Sequence, residues 1–309
     1  MDLLFLLTVA PAYMVGSFFL KHDPGPEEPK SAVTSAVWFG VIAIVLALII
    51  SFIFELVLAG DFLVRVSGGE SETSLPLFLD VLIFATIEEF VKFIPIALYL
   101  LKKDFFNEIT DGIIYFSIVG LTFGAIESFL YGVTAGGFGF AVALMRLALG
   151  LFFHGALTAV VGYHFAKAKV TNQGMSMALI ALAAVSVTHA AYNFFVFSIQ
   201  VEPLYIFGAA AMALSANAAM FWLYFVAMKR DIELGIAGPQ YIEQRRLKNL
   251  QQRTNAAISQ TRYAATVQSV PQPPLQPMPP APQQQPTYTN PSSHQQDPPQ
   301  PPQNPPHQV

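Results

Sequence analysis

Residues 36–54 read AVWFGVIAIVLALIISFIF, a run of 19 residues without a charged side chain. A helix needs about 20 mainly apolar residues to cross the hydrocarbon layer of a bilayer, so this stretch predicts a membrane span. The whole chain has the same character, because 54% of its 309 residues are hydrophobic and only 12% are charged. Soluble domains carry about twice that share of charged residues, so the composition indicates an integral membrane protein.

Hydropathy predicts an all-α, polytopic transmembrane helical bundle of about seven spans. The expected spans are roughly residues 2–20, 33–59, 76–101, 109–132, 138–166, 175–199 and 203–228. The chain has no cysteine, which excludes disulfides, thiolate metal sites and a cysteine nucleophile.

Composition divides the chain into three regions. A transmembrane domain occupies residues 1–230, a polar and helix-compatible juxtamembrane segment occupies residues 231–270, and a Pro/Gln-rich tail occupies residues 271–309. The tail lacks the aliphatic side chains whose burial offsets the loss of chain entropy, so we expect it to be disordered. A tail that is only solvated and a tail that binds a cytoplasmic partner are both compatible with this composition.

Basic residues collect in alternate loops. Lys21 and Lys30 lie in the first loop, Lys102 and Lys103 lie in the third, and seven further Lys and Arg residues follow the last span. Because cytoplasmic loops carry an excess of Lys and Arg, the pattern predicts a multi-pass cell-membrane protein whose N-terminus is outside and whose C-terminus is cytoplasmic. The lipid bilayer is the expected environment, and no nucleic-acid partner is expected.

Ionisable side chains interrupt several predicted spans. They are Glu88, Glu89, Lys92, Glu127, His154 and His189. A charged group near the centre of a span costs roughly 2.5 to 3.5 kcal/mol on insertion scales, so each position indicates a function or a buried partner. Counted from the cytoplasmic flanks at about 1.5 Å per residue, four of them lie roughly 20 to 24 Å deep. These four, Glu89, Glu127, His154 and His189, therefore predict one polar cluster at a common depth.

The Glu88–Glu89 pair cannot place both carboxylates in one narrow site, because adjacent helical residues point about 100° apart. We expect one carboxylate to face water or a metal and the other to bind neighbouring helices, and we prefer Glu89 for the first role. Lys92 follows within one turn and can reach back to either carboxylate. The alternative is a structural Glu–Lys pair that joins helices.

Two histidines and two or three carboxylates at one depth are residue types that bind a catalytic divalent metal or activate a water directly. Asn193 lies one turn after His189, where its amide could donate to a developing oxyanion. Such a set could hydrolyse a peptide bond, which needs a water, a base, an acid and an electrophile. The same groups could instead serve a proton- or ion-coupled transporter, or join helices in a membrane scaffold that presents the tail.

Three short motifs follow one another along the predicted spans. EEFVK (88–92) fits the pattern EExxK, FGAIE (123–127) fits FxxxE, and HAAYN (189–193) fits HxxxN/D. Together with DGIIY (111–115) and with Arg146 followed by His154, they resemble the PrsW-type intramembrane proteases, relatives of the CAAX prenyl endopeptidases and Abi proteins. The resemblance covers about residues 76–200. It implies a seven- or eight-helix, glutamate-dependent endopeptidase that cleaves membrane-associated substrates, with Zn2+ as the metal if one is used.

Transferred residue by residue, the resemblance makes Glu88 and Glu89 the pair that activates water. It assigns further catalytic or metal-binding roles to Glu127, His154 and His189. The last motif ends in Asn193, where PrsW-like sequences often carry Asp, and an amide suits an oxyanion donor better than a metal ligand or base. The implied partner is a membrane-protein substrate, in some bacteria an anti-sigma factor. The Pro/Gln tail is not a feature we associate with the family, so its role does not follow from the resemblance.

Overall fold

The computed structural model describes residues 2–59, 75–199 and 201–268. These ranges are helical and contain no strand, which confirms the predicted all-α class. The helices are Asp2–Lys21 (α1), Lys30–Phe54 (α2), Leu75–Leu100 (α3), Ile109–Thr134 (α4), Gly139–Leu149 (α5), Leu151–Val170 (α6), Ser176–Ser198 (α7), Tyr205–Glu233 (α8) and Pro239–Gln268 (α9). A π-helical segment, Glu55–Ala59, continues α2, and a short 3-10 turn, Gly136–Phe138, precedes α5.

Six segments of the described chain are long and apolar enough to cross a membrane, namely α1, α2, α4, the α5–α6 pair, α7 and α8. The remaining predicted span, near residues 76–101, forms α3, which has 26 residues, as many as α4. It is not among the six because four charged side chains interrupt its apolar stretch: Asp80, Glu88, Glu89 and Lys92. The protein is therefore a multi-pass membrane protein, and the count of about seven spans depends on α3.

The second helix, α2, shows how the sequence separates buried from lipid-facing sides. Its buried positions include small residues at helical spacing: Ala32, Ala36, Gly40, Ala43 and Ala47. This stripe packs on α3 and α4. On other sides of the helix, the large side chains of Trp38 and Phe52 are 60% and 67% exposed, as suits contact with lipid tails. Such a helix is apolar on all sides, so its buried side is marked by small side chains and its lipid-facing side by large ones.

The fourth and sixth helices approach so closely that their contact requires glycine. A Cβ added at Gly112 would lie 2.2 Å from the carbonyl oxygen of Gly162, and one added at Gly120 would lie 2.3 Å from that of His154. Small residues allow transmembrane helices to come this close, because backbone then packs on backbone. Since α4 is buried along most of its length, this pair forms the centre of the bundle and fixes Glu127 relative to His154.

The predicted span over residues 138–166 is interrupted. Gly150 separates α5 from α6 and has φ −105° and ψ −41°. Its N–H donates to the carbonyl oxygen of Arg146 at 2.8 Å, and a Cβ in its place would lie 3.3 Å from the Tyr192 hydroxyl. Hydropathy measures the length of an apolar run and not the continuity of a helix, so it does not detect this break.

The chain divides into two compact units, Met1–Gln252 and Arg253–Val309. The packed interior of the first unit continues past residue 230. Asp231 is fully buried near the end of α8, and its carboxylate accepts hydrogen bonds from the N–H groups of Ile109 and Thr110, both at 2.8 Å. Of the second unit, the structure describes residues 253–268 of α9. The predicted Pro/Gln-rich tail, residues 271–309, lies outside the described residues.

Candidate active site

The EEFVK segment of α3 places one carboxylate deep inside the bundle. Glu89 is 1% exposed, and its Oε1 accepts hydrogen bonds from the Lys92 ammonium at 2.6 Å and from Nδ1 of His189 at 2.8 Å. Both partners are also buried. The predicted reach of Lys92 back along the helix is therefore present, and it ends on Glu89. Removal of either charge would leave the other without its buried partner, which is costly in an apolar interior.

Lys92 also links α3 to α6. Its ammonium donates to Nδ1 of His154 at 3.2 Å and lies 4.6 Å from the ring centroid of Phe123 on α4. Cation–π contact of this kind is favourable where the cation has lost its water. The two imidazole rings of His154 and His189 are 5.0 Å apart between centroids. The ammonium thus sits where three helices bring their polar groups together.

The other side of His154 faces Glu127 of α4. Nε2 of His154 lies 2.7 Å from Oε2 of Glu127, and the Arg146 guanidinium pairs with the same carboxylate. Arg146 is in turn held by the Ser128 hydroxyl at 3.2 Å and by the Tyr131 ring, whose centroid is 4.3 Å away. Glu127 thereby receives a cation on one side and an imidazole on the other.

Glu88 is the more accessible carboxylate of the EEFVK pair. Its side chain is 17% exposed, and its Oε2 lies 3.7 Å from Nε2 of His189 without a hydrogen-bond partner in the described chain. The two glutamates therefore have the two surroundings that helical geometry predicts. Glu89 bonds Lys92 of its own helix and His189 of α7, whereas Oε2 of Glu88 has no partner in the described chain.

Glu88, His154 and His189 form a group that could hold a metal ion, with one donor atom from each residue lying within 4.8 Å of the others. Two imidazoles and a carboxylate are a donor set that binds catalytic zinc. This group differs from the predicted ligand set, Glu127, His154 and His189, in one member. Glu127 instead contacts Arg146 and His154 from outside the group.

The two histidines are not equally ready to bind a metal. His189 bonds Glu89 through Nδ1, which leaves Nε2 on the side of Glu88. A histidine whose far nitrogen donates to a carboxylate is held in the tautomer and orientation of a metal ligand. His154 contacts Glu127 through Nε2 and Lys92 through Nδ1, so it must exchange one of these partners before it can act as a ligand. The donor set fits zinc, with that one rearrangement.

Asn193 follows His189 by one turn of α7 and is partly buried. None of the hydrogen bonds within the described chain involves its side chain, so the amide is free to bind a substrate group. Sequence reasoning did not identify Ser128 and Tyr131, which hold Arg146. Neutral residues of this kind are common in transmembrane helices and carry no distinctive signal.

Comparisons with known proteins agree with the motifs. A model of the PrsW family intramembrane metalloprotease matches residues 28–228. The Protease PrsW of Geobacillus kaustophilus is 32% identical over 161 residues, which cover 52% of this chain and 64% of the relative. The Protease PrsW of Bacillus subtilis is 25% identical over 188 residues, which cover 60% of this chain and 79% of the relative. A comparison with solved structures finds no match.

The family match covers well over half of the chain. The matched residues include α3 to α7. They therefore contain all the polar side chains described above: Glu88, Glu89, Lys92, Glu127, Arg146, His154, His189 and Asn193. The match begins before α2 and ends within α8, so it coincides with the bundle that builds the site. The chain therefore belongs to the PrsW family of intramembrane metalloproteases.

Proposed function

We propose that this protein is an intramembrane endopeptidase that hydrolyses peptide bonds of membrane-associated protein substrates, using a water activated by glutamate and histidine. The observation that carries the proposal is the meeting of Glu88, His154 and His189, from three helices, inside a bundle whose core is mainly apolar. Ionisable side chains are costly to place in a membrane interior, and they are retained there when they have a chemical role. Family membership supports the same conclusion, and neither the family nor the relatives support a transporter.

Glu88 is the proposed general base. Its free Oε2 can accept the proton of a water beside His189 and later return that proton to the amine that leaves. Glu89 and Glu127 act behind the histidines: each accepts from one imidazole and so fixes the ring that faces the reacting water. The Asn193 amide, one turn from His189, donates to the oxygen of the carbonyl under attack.

Glu88, His154 and His189 would hold the metal that the family description implies, and Glu88 would then serve as a ligand instead of as the base. A bound divalent metal such as Zn2+ supplies polarisation of the scissile carbonyl and of the attacking water. Lys92 then has two roles. It neutralises the Glu89 carboxylate, and its ammonium occupies the Nδ1 atom of His154 that would otherwise be open to a metal. Metal content and cleavage should therefore be measured on the same samples.

The test is cleavage of membrane peptides by the purified full-length protein in detergent. A detergent micelle supports no ion gradient, so cleavage there distinguishes a hydrolase from a transporter. We expect products with the parent protein, none with Glu88→Gln, and unchanged products with Glu27→Gln, which alters an exposed glutamate in the loop between α1 and α2. Absence of cleavage by a folded, zinc-loaded parent, tested on a membrane-peptide library, would reject the proposal.

The physiological substrate is proposed only as a class, a protein segment embedded in or attached to the membrane. An anti-sigma factor is the specific example that the resemblance suggests. Comparison of membrane proteomes from cells that express the parent or Glu88→Gln would identify the substrate, because the uncut protein accumulates with the variant.

A further inference from the structure

A second group of carboxylates lies at the other end of α4, outside the polar network described above. Asp23 and Glu28 come from the loop between α1 and α2, and Asp111 comes from the first turn of α4. One oxygen from each of the three lies within 4.8 Å of the others. Asp111 precedes Glu127 by 16 residues, which is about 24 Å along a helix, so the two groups cannot share a ligand.

Part of this group is buried without partners. Asp111 and Glu108 are each 1% exposed, and Oδ1 of Asp111 and Oε2 of Glu108 make no hydrogen bond within the described chain. Oδ2 of Asp23 is likewise buried and unpartnered. A buried carboxylate oxygen without a donor is unfavourable by itself. Two such oxygens within the group, on Asp23 and Asp111, and a third on the adjacent Glu108 point to a cation or to protons.

Nearby basic residues do not neutralise the three carboxylates. The Lys169 ammonium donates to the carbonyl oxygens of Leu100 and Lys103, at 2.7 and 2.9 Å. Within the described chain, no Lys or Arg forms an ion pair with the carboxylates of Asp23, Glu28 or Asp111. The Tyr115 hydroxyl donates to Glu28, and backbone N–H groups of Asn107 and Glu108 donate to Oδ2 of Asp111. These donors orient the carboxylates but carry no positive charge.

The segment that brings the loop to α4 is built for close approach. A Cβ at Gly25 would lie 2.0 Å from the Glu108 carboxylate, so a larger residue here would require that side chain to move. The loop is also tied by the Pro24 carbonyl oxygen, which accepts from the Gly238 N–H at 2.9 Å. The loop backbone thus holds these acidic side chains close to one another.

We propose that Asp23, Glu28 and Asp111 bind a hard divalent cation, Ca2+ or Mg2+. The donors are all carboxylate oxygens, which these cations prefer, and the group contains no imidazole or thiolate of the kind that selects zinc. The bound cation ties the loop between α1 and α2 to the start of α4. Its role is to brace the bundle at a distance from the chemistry, and it is independent of the proposed protease activity.

The experiment uses the purified full-length protein in detergent, stripped with a chelator and then titrated with Ca2+ alone or Mg2+ alone. Calorimetry gives the number of sites, and thermal unfolding gives the effect on stability. We expect one saturable site for at least one cation, and a rise in melting temperature of roughly 5 °C at about a hundredfold excess over Kd. The cation that gives the larger rise at equal concentration is the preferred ligand.

The double variant Asp23→Asn/Glu28→Gln tests the assignment without touching Asp111, which also caps α4. It should lose the cation-dependent rise, whereas Glu27→Gln, in the same loop, should keep it. Glu88→Gln should keep it as well, which separates this site from the site beside the histidines. The proposal is overturned if neither cation raises the melting temperature, or if the rise persists in the double variant. It is equally overturned if acid alone stabilises the chelated protein and both cations have no effect, because the carboxyls then hold protons.

Discussion

Each glutamate of the EEFVK segment has its own neighbours, although the two are adjacent in the chain. Glu89 lies between Lys92 and His189 and is almost inaccessible, whereas Glu88 is partly exposed beside the histidines. A step of about 100° around the helix axis is enough to give two adjacent carboxylates different neighbours and different exposure. The two should therefore respond differently to the loss of charge.

We expect Glu88→Gln to abolish cleavage and to change the melting temperature little, since its Oε2 has no hydrogen-bond partner to lose. Glu89→Gln should lower both activity and stability, because it leaves the Lys92 ammonium without its buried anion. The cost of such a loss is about 3–5 kcal/mol. Cleavage of a membrane peptide and thermal unfolding, measured on both purified variants, provide the comparison. Equal stability of Glu89→Gln and the parent would show that the Glu89–Lys92 pair does not hold the helices.

Asn193→Ala should reduce the rate of cleavage by roughly 10²-fold to 10³-fold, the usual cost of removing one oxyanion donor. Its side chain makes no hydrogen bond within the described chain, so neither the melting temperature nor the zinc content should change. Single-turnover cleavage, with metal analysis of the same sample, measures both effects. A parallel loss of zinc and activity would instead assign Asn193 to metal binding.

The membership of the site could be predicted from the sequence because ionisable residues are rare in spans. Glu88, Glu89, Glu127, His154 and His189 stand out for this reason, and the structure brings them together. Their pairing could not be predicted, since it depends on helix rotation and on which neighbour lies across each interface. Which glutamate bonds which histidine, and which three residues bring donor atoms within 4.8 Å of one another, are both of this kind.

At the scale of elements, the contact between α4 and α6 controls the geometry of the site. Gly120→Ala should lower the rate of cleavage at least tenfold and destabilise the fold by ~1–3 kcal/mol, because the new methyl group must push back the His154 backbone. Gly174→Ala is the matched control, since a Cβ at that position meets nothing within 4 Å. The measurements are cleavage and melting temperature. Parent-like values for Gly120→Ala would show that the helices can separate without affecting His154.

The loops that meet at the start of α4 should make stability depend on pH. Burial, with repulsion from Asp23, Asp231 and Glu28, raises the pKa of Glu108 to about 9 against the opposing effect of Arg245. Burial likewise raises the pKa of Asp23 to about 7. Both carboxyls hold a proton in the folded state that the unfolded chain has already lost, so the stability they contribute is present in acid and falls as pH rises through this window.

In a chelating buffer, the melting temperature should therefore fall from about pH 5 to about pH 9, and Glu108→Gln should flatten the upper part of that decline. Detergent-solubilised parent and variant, scanned at several pH values, give the two slopes. The same slope in both would show that Glu108 does not carry the dependence.

For the whole molecule, the number of spans and the distribution of basic residues predict the orientation. We propose that the N-terminus lies outside and the C-terminus in the cytoplasm. The chain has no cysteine, so single cysteines can be introduced at Lys103 and at Gly137. A membrane-impermeant thiol reagent should label Gly137→Cys and not Lys103→Cys in intact cells. Labelling in the reverse pattern would invert the topology.

The general architecture follows from composition alone, because an apolar run of about 20 residues has few stable alternatives to a membrane helix. The break at Gly150 and the glycine contact between α4 and α6 do not follow from it. Glycine is common in transmembrane helices, and only the position of the facing backbone shows which glycines are required. Asp231 was missed for a similar reason, since it follows Lys229 and Arg230 in a stretch that reads as solvated.

One feature of the bundle concerns how a substrate enters. The third helix packs extensively on α2 and α7 but only sparsely on α4 and α6, and among its links to α6 is the Lys92–His154 contact. Besides the Lys92–His154 contact, the ring of Phe93 on α3 contacts Phe116 of α4 and Phe165 of α6. Under the proposed function, a peptide that enters between α3 and α6 must first separate Lys92 from His154, so the polar groups proposed for cleavage would also hold the empty site closed.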